Sequence, residues 1–81
     1  MKAHEQSALR TLLIDTKLYT SAQINDMIAN ATRFTGADLE DTLYDGGWEI
    51  DADVGIEVSD DDCRFFHAYF FEGLLQGFCE V

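Results

Sequence analysis

The residues best placed to do chemistry in this chain are its carboxylates. Eleven Asp and Glu lie between Asp38 and Asp62, with no Lys or Arg among them. A calcium loop is the first chemistry such a run suggests. Starting it at Asp51 places Asp53, Gly55, Glu57, Ser59 and Asp62 at successive ligand positions. The glycine then falls one residue too early for the sharp turn, and an Asp stands where a bidentate Glu is required. Zinc is the second. Cys63 and His67 are four residues apart, close enough on a helix to share an ion, but structural zinc takes four ligands. His4 and Cys79 supply no recognisable second pair. Catalysis is the third. Gly46-Gly47 precedes a strand rather than a helix, so no helix N-terminus is aimed at a phosphate there. Pairs such as Asp51 and Asp53 on an open surface lack the cleft that acid–base work needs. The expectation is a protein without metal, cofactor or catalytic residues.

The elements that must position these carboxylates show themselves by their ends. Thr20-Ser21-Ala22-Gln23 is a capping box, with Tyr19 and Ile24 placed to close a hydrophobic staple over it. Thr35-Gly36-Ala37-Asp38 and Ser59-Asp60-Asp61-Asp62 repeat the signature. The spacing predicts helices over 4–18, 21–33 and 36–44, the last stopped by Gly46-Gly47. A fourth is expected over 60–78, carrying Phe65, Phe66, Tyr69, Phe70, Phe71, Leu74, Leu75 and Phe78. That apolar arc is wider than one small core needs, so this helix is expected to be central or to form a homodimer through Phe65, Phe66, Tyr69, Phe70 and Leu74. Gly73 and Gly77 on it would pack against a neighbouring helix. A helix there also holds Cys63 and Cys79 about 24 Å apart, beyond the reach of a disulfide, so both read as reduced thiols.

Between the third and fourth helices, Trp48, Ile50, Ala52, Val54, Ile56 and Val58 alternate with polar residues or glycine, the period of a β-strand. A lone strand leaves its backbone unpaired, so a hairpin turning near Asp53-Val54-Gly55 is expected. The fold class is therefore α+β: three N-terminal helices, a short antiparallel β-hairpin and a long aromatic C-terminal helix, in a single domain over 1–81. Helix, helix, helix, Gly-Gly and hairpin is an element order that resembles the winged helix over residues 4–58. The resemblance implies that GADLEDTLYD occupies the recognition position. Its four acids and no base are the opposite of what phosphate neutralisation requires.

Charge carries the functional expectation. Residues 1–33 balance at +1 (four basic, three acidic), while 34–81 carry −12 (one basic, thirteen acidic), for the chain total of −11. Such a field repels nucleic acid and anionic membrane and speeds encounter with basic partners. No run approaches the length of a membrane span and no leader pattern opens the chain, so a cytoplasmic location is expected. On a strand, Glu49, Asp51, Asp53 and Glu57 would project as a row at about 6.6 Å intervals. Asp38, Asp41 and Asp45 would form a second row on the preceding helix. Two regular rows of negative charge resemble the phosphates of a duplex, so these seven are the expected contacts to a basic nucleic-acid-binding protein such as a nuclease or CRISPR effector. In size and charge the chain resembles small phage anti-defence inhibitors of the anti-CRISPR and anti-restriction kind, and equally a nuclease immunity protein. The other reading is a homodimeric scaffold module whose acids only solvate its surface.

Overall fold

The computed structural model describes residues 1–81. Three helices, α1 (Ala3–Thr16), α2 (Ser21–Ala29) and α3 (Gly36–Asp45), accompany four strands, β1 (Thr32–Phe34), β2 (Val54–Ser59), β3 (Phe65–Phe71) and β4 (Leu74–Glu80). The strands form one antiparallel sheet in the order β1-β2-β3-β4.

The helix termini follow local chemistry, except that the box expected at Thr35-Gly36-Ala37-Asp38 does not close: Thr35 caps α3 with no side-chain hydrogen bond. Thr20 and Gln23 close a reciprocal box: the Gln23 N–H donates to Thr20 Oγ1 at 3.2 Å, and the Thr20 N–H donates to Gln23 Oε1 at 2.7 Å. At the end of α3, the Gly47 N–H donates to the Tyr44 carbonyl and the Trp48 N–H to the Leu43 carbonyl. This Schellman pairing needs a left-handed residue at Gly47, whose φ is 70°, and glycine adopts it without a Cβ penalty.

The sheet is covered on both faces. Val54, Ile56 and Val58 pair in register with Phe70, Ala68 and Phe66, and together they meet Leu9, Leu13, Ile24, Met27 and Ile28 of α1 and α2. The alternate residues, Gly55, Glu57, His67 and Tyr69, face the other way, toward α3, Phe34 and Trp48. Phe34 lies over Gly55 so closely that a Cβ there would come within 2.4 Å of the ring, and Trp48 covers Gly77 in the same manner at 2.7 Å.

The C-terminal helix expected over 60–78 is not formed; a β-hairpin stands in its place. Phe66 to Phe70 are five consecutive buried residues, which a strand between two layers can bury and a surface helix cannot. Each fully buried large apolar side chain contributes roughly 1.5–3 kcal/mol, well above the ~1 kcal/mol span of strand propensities, so burial decides. Glu72 and Gly73, at φ 49° and 82°, make the tight turn, and the positive pair matches the twist of a two-residue hairpin. Gly73 therefore serves a turn, not helix packing.

Two further expectations change. The segment 48–53 is not in a strand: β2 begins at Val54, and no hairpin turns at Asp53-Val54-Gly55. Trp48, Ile50 and Ala52 are half-buried while Glu49, Asp51 and Asp53 are exposed, so the period-two pattern records alternating burial without a ladder. Ser59-Asp60-Asp61-Asp62 is not a helix cap. Asp60 Oδ1 accepts the N–H groups of Asp62 and Arg64, both at 2.9 Å, and this side-chain turn reverses β2 into β3. Helix caps and such turns use the same residue types. The winged-helix order also fails, because β1 separates α2 from α3 and the chain ends in β3 and β4. No helix is long and apolar enough to cross a membrane.

Candidate functional site

The acids expected to act together fall into three groups. Asp38, Asp41 and Asp45 are exposed on α3. Asp38 and Asp41 border a groove whose opposite wall holds Phe34, Glu57 and His67. Asp45 borders a second groove with Trp48, His67, Tyr69, Cys79 and Glu80. His67 and Thr42 line both, so the two grooves meet beneath α3. Glu49 and Asp51 stand exposed on the segment leading to β2. Asp53 is set apart: its Oδ2 accepts the Glu72 N–H at 2.9 Å, beside Arg33, Lys2 and Glu5. The evenly spaced row on one strand does not exist, since of its four members only Glu57 lies on β2.

A hydrogen-bonded chain underlies the grooves. His67, 8 % exposed, places Nε2 2.7 Å from Glu57 Oε2 and Nδ1 3.1 Å from the Tyr69 hydroxyl. With a neutral imidazole the carboxylate selects the tautomer: Nε2–H donates to Glu57, and Nδ1 accepts the Tyr69 O–H. Cys79 stands opposite His67 in the β3–β4 register. Burial pushes the Tyr69 hydroxyl up from its ordinary pKa, with the nearby Cys79 adding to the rise. Burial also pushes the Cys79 thiol up, so thiolate chemistry is suppressed there. Cys63 and His67 are not helical neighbours as the spacing predicts, because Cys63 sits exposed in the turn before β3 while His67 is buried on the strand. No three His, Cys, Asp or Glu are grouped to hold a metal ion. Once 65–71 is read as a strand, His67 and Tyr69 at i, i+2 share a face; the helical reading concealed this.

The aromatic residues expected as dimer or core divide by burial. Phe66, Tyr69 and Phe70 are interior, at 4 % exposure or less, whereas Phe65 and Leu74 are 40 % and 69 % exposed. Phe66 and Phe70 pack toward α1 and α2, and Tyr69 packs toward Phe34 and Trp48.

Cationic partners within the fold are few and placed elsewhere. Arg33 pairs with Glu5 at 3.4 Å and Arg64 with Glu80 at 3.5 Å. Of the eleven carboxylates from Asp38 to Asp62, none forms an ion pair with a Lys or Arg, and Glu57 is held instead by its hydrogen bond to His67. Compared with protein-family models, curated proteins and solved structures, the chain matches none.

Proposed function

We propose that the protein is a non-enzymatic inhibitor that docks by its acidic surface on a basic nucleic-acid-handling protein, such as a nuclease or CRISPR effector, in the cytoplasm. The observation that supports this reading is the unneutralised charge: no Lys or Arg of the fold forms an ion pair with any carboxylate from Asp38 to Glu57, and beyond them only Asp60 feels a nearby cation, Arg64. Like charges held together on a small domain oppose folding. A surface required only to be soluble does better with both signs mixed. A basic groove shaped for phosphates supplies the missing counter-charge, and occupying it blocks nucleic acid. The contact surface assigned by this reading is α3 with the following segment: Asp38, Asp41, Asp45, Glu49 and Asp51. Asp53 and Glu57 hold the fold instead. The reading rests on charge and exposure, not on a phosphate-like repeat.

The test is capture from bacterial lysate at low salt, followed by elution with a salt gradient and, separately, with competing DNA. A basic nucleic-acid-binding protein released by both is expected, and D38N/D41N/D45N should fail to retain it while keeping the wild-type circular dichroism. Capture that survives the triple substitution would remove α3 from the interface. An empty gradient would leave the acids as solvated surface.

A further inference from the structure

We infer that two copies of the chain join edge to edge through β4, about a two-fold axis at Phe78, into one continuous antiparallel sheet. This goes beyond the acidic-surface reading and uses a different part of the molecule.

The two edges of the sheet are unequal. β1 is three residues long, whereas β4 is seven. Proteins guard long edges with charge, Pro or bulges; β4 has no Lys or Pro, its one charge, Glu80, stands at its end, and its bulge lies at Gln76, so the stretch from Gly77 to Cys79 is unguarded. The covering layers reach it only in part: Trp48 lies on Gly77 and Phe78 packs against the core, yet every residue of β4 is exposed or half-buried. Its flanks are apolar and open: Leu74 is 69 % exposed, Leu75 39 % and Val81 71 %.

The backbone pattern shows which groups are free. The Val81 N–H donates to the Phe65 carbonyl at 2.8 Å, and Glu80 stands opposite Phe66. Antiparallel pairing alternates, so Phe78 and Glu80 direct their N–H and C=O away from β3. Near Gln76 the ladder is interrupted: Tyr69 faces Gly77 and Phe70 faces Leu75, leaving Gln76 as the extra residue of a bulge. The bulge bends the strand and confines further pairing to the stretch from Gln76 to Glu80.

That stretch is complementary to itself. With Phe78 opposite Phe78 of a second copy, Gln76 comes opposite Glu80 at both ends, an amide donor against a carboxylate acceptor. The Leu74-Leu75 end of each copy approaches Val81 of the other, apolar against apolar. A basic partner has little to meet here, since Glu80 is the only charge on the strand. A two-fold axis normal to the sheet keeps both α3 helices on the same face, so the dimer presents two acidic surfaces side by side.

Sedimentation equilibrium of the full chain near physiological salt tests this. A dimer is expected in the micromolar range, tightening as salt screens the repulsion between two chains of −11. Gln76→Glu places two like-charged pairs across the axis and should weaken association on the order of tenfold, whereas Gln76→Lys should strengthen it. Glu80→Pro removes an outward-facing N–H and the exposed Arg64 ion pair but no backbone bond to β3, and should yield a monomer with unchanged circular dichroism, whereas Glu80→Gln, which loses only the ion pair, should still dimerise. D38N/D41N/D45N should still dimerise, which separates this interface from the acidic one. A chain that stays monomeric at hundreds of micromolar, or a dimer indifferent to both Gln76 substitutions, would overturn the inference.

Discussion

At the scale of single residues, the carboxylates divide into those the fold employs and those it leaves free. Asp53 holds the Glu72 N–H, Glu57 holds His67, and Asp60 holds the β2–β3 turn while accepting the Tyr19 O–H at 2.6 Å. The Tyr19 hydrogen bond, followed by the Arg64 N–H, lowers the Asp60 pKa below the ordinary carboxylate value. A pKa depressed in the folded state adds stability above the unfolded pKa of about 4 and loses it as pH falls through the folded value. Asp60→Asn should therefore melt below the wild type at pH ~7, with the gap closing as pH falls below about 4. A gap of constant size across that range would mean that the side chain's charge contributes nothing. Asp38, Asp41, Asp45, Glu49 and Asp51 make no side-chain hydrogen bond or ion pair, so replacing them tests binding; only Asp38, in the first turn of α3, also gives up a favourable interaction with the helix dipole.

At the scale of elements, the β3–β4 hairpin decides the architecture. Its turn places Glu72, a non-glycine residue, at φ 49° ahead of Gly73. Asn tolerates that conformation better than Glu, and Asn-Gly is the preferred pair in such a turn. Glu72→Asn should raise the melting temperature by a few degrees, about 0.5 kcal/mol, and Gly73→Ala should lower it by more. Thermal melts of the two variants check both signs. This hairpin is also where the sequence was hardest to read. The two-sided burial of Phe66 to Phe70 erases the alternation that marks a strand, and an aromatic-rich run interrupted only by His67 fits a helix equally well. Glu72-Gly73 was the available turn signal, weaker than Asn-Gly. Asp60 misled for a related reason, because an acid that caps a helix can also fold a turn. The Thr20 box and the Gly46-Gly47 stop were legible because each depends only on neighbours within a few residues. β1 was not: Thr32–Phe34 gains its strand character from pairing with Gly55–Glu57, more than twenty positions away. On the site itself, the acids of α3 were legible from helical spacing, but the supposed row from Glu49 to Glu57 required a ladder that no neighbour supplies.

At the scale of the whole molecule, a net charge of −11 on 81 residues sets how the protein responds to salt. Carboxylates with no Lys or Arg partner repel one another at low ionic strength, and the repulsion fades as the Debye length shrinks to about 8 Å at 0.15 M. The melting temperature should rise from low to moderate salt. D38N/D41N/D45N should melt higher than the wild type by roughly 5 °C at low salt, and the difference should shrink on adding salt. Calorimetry over a salt series measures both, and a triple variant that melts lower would show that α3 needs its charges in order to fold. The single tryptophan adds a property of another kind. Trp48 lies on Gly77, with its ring centroid 5.2 Å from that of Tyr69, and it begins the segment that carries Glu49 and Asp51. Light absorbed by Tyr69 passes efficiently to an indole so near, and the emission colour follows how dry that indole is. The acidic surface thus carries its own optical reporter, and a partner settling on it will change the emission spectrum with no dye attached.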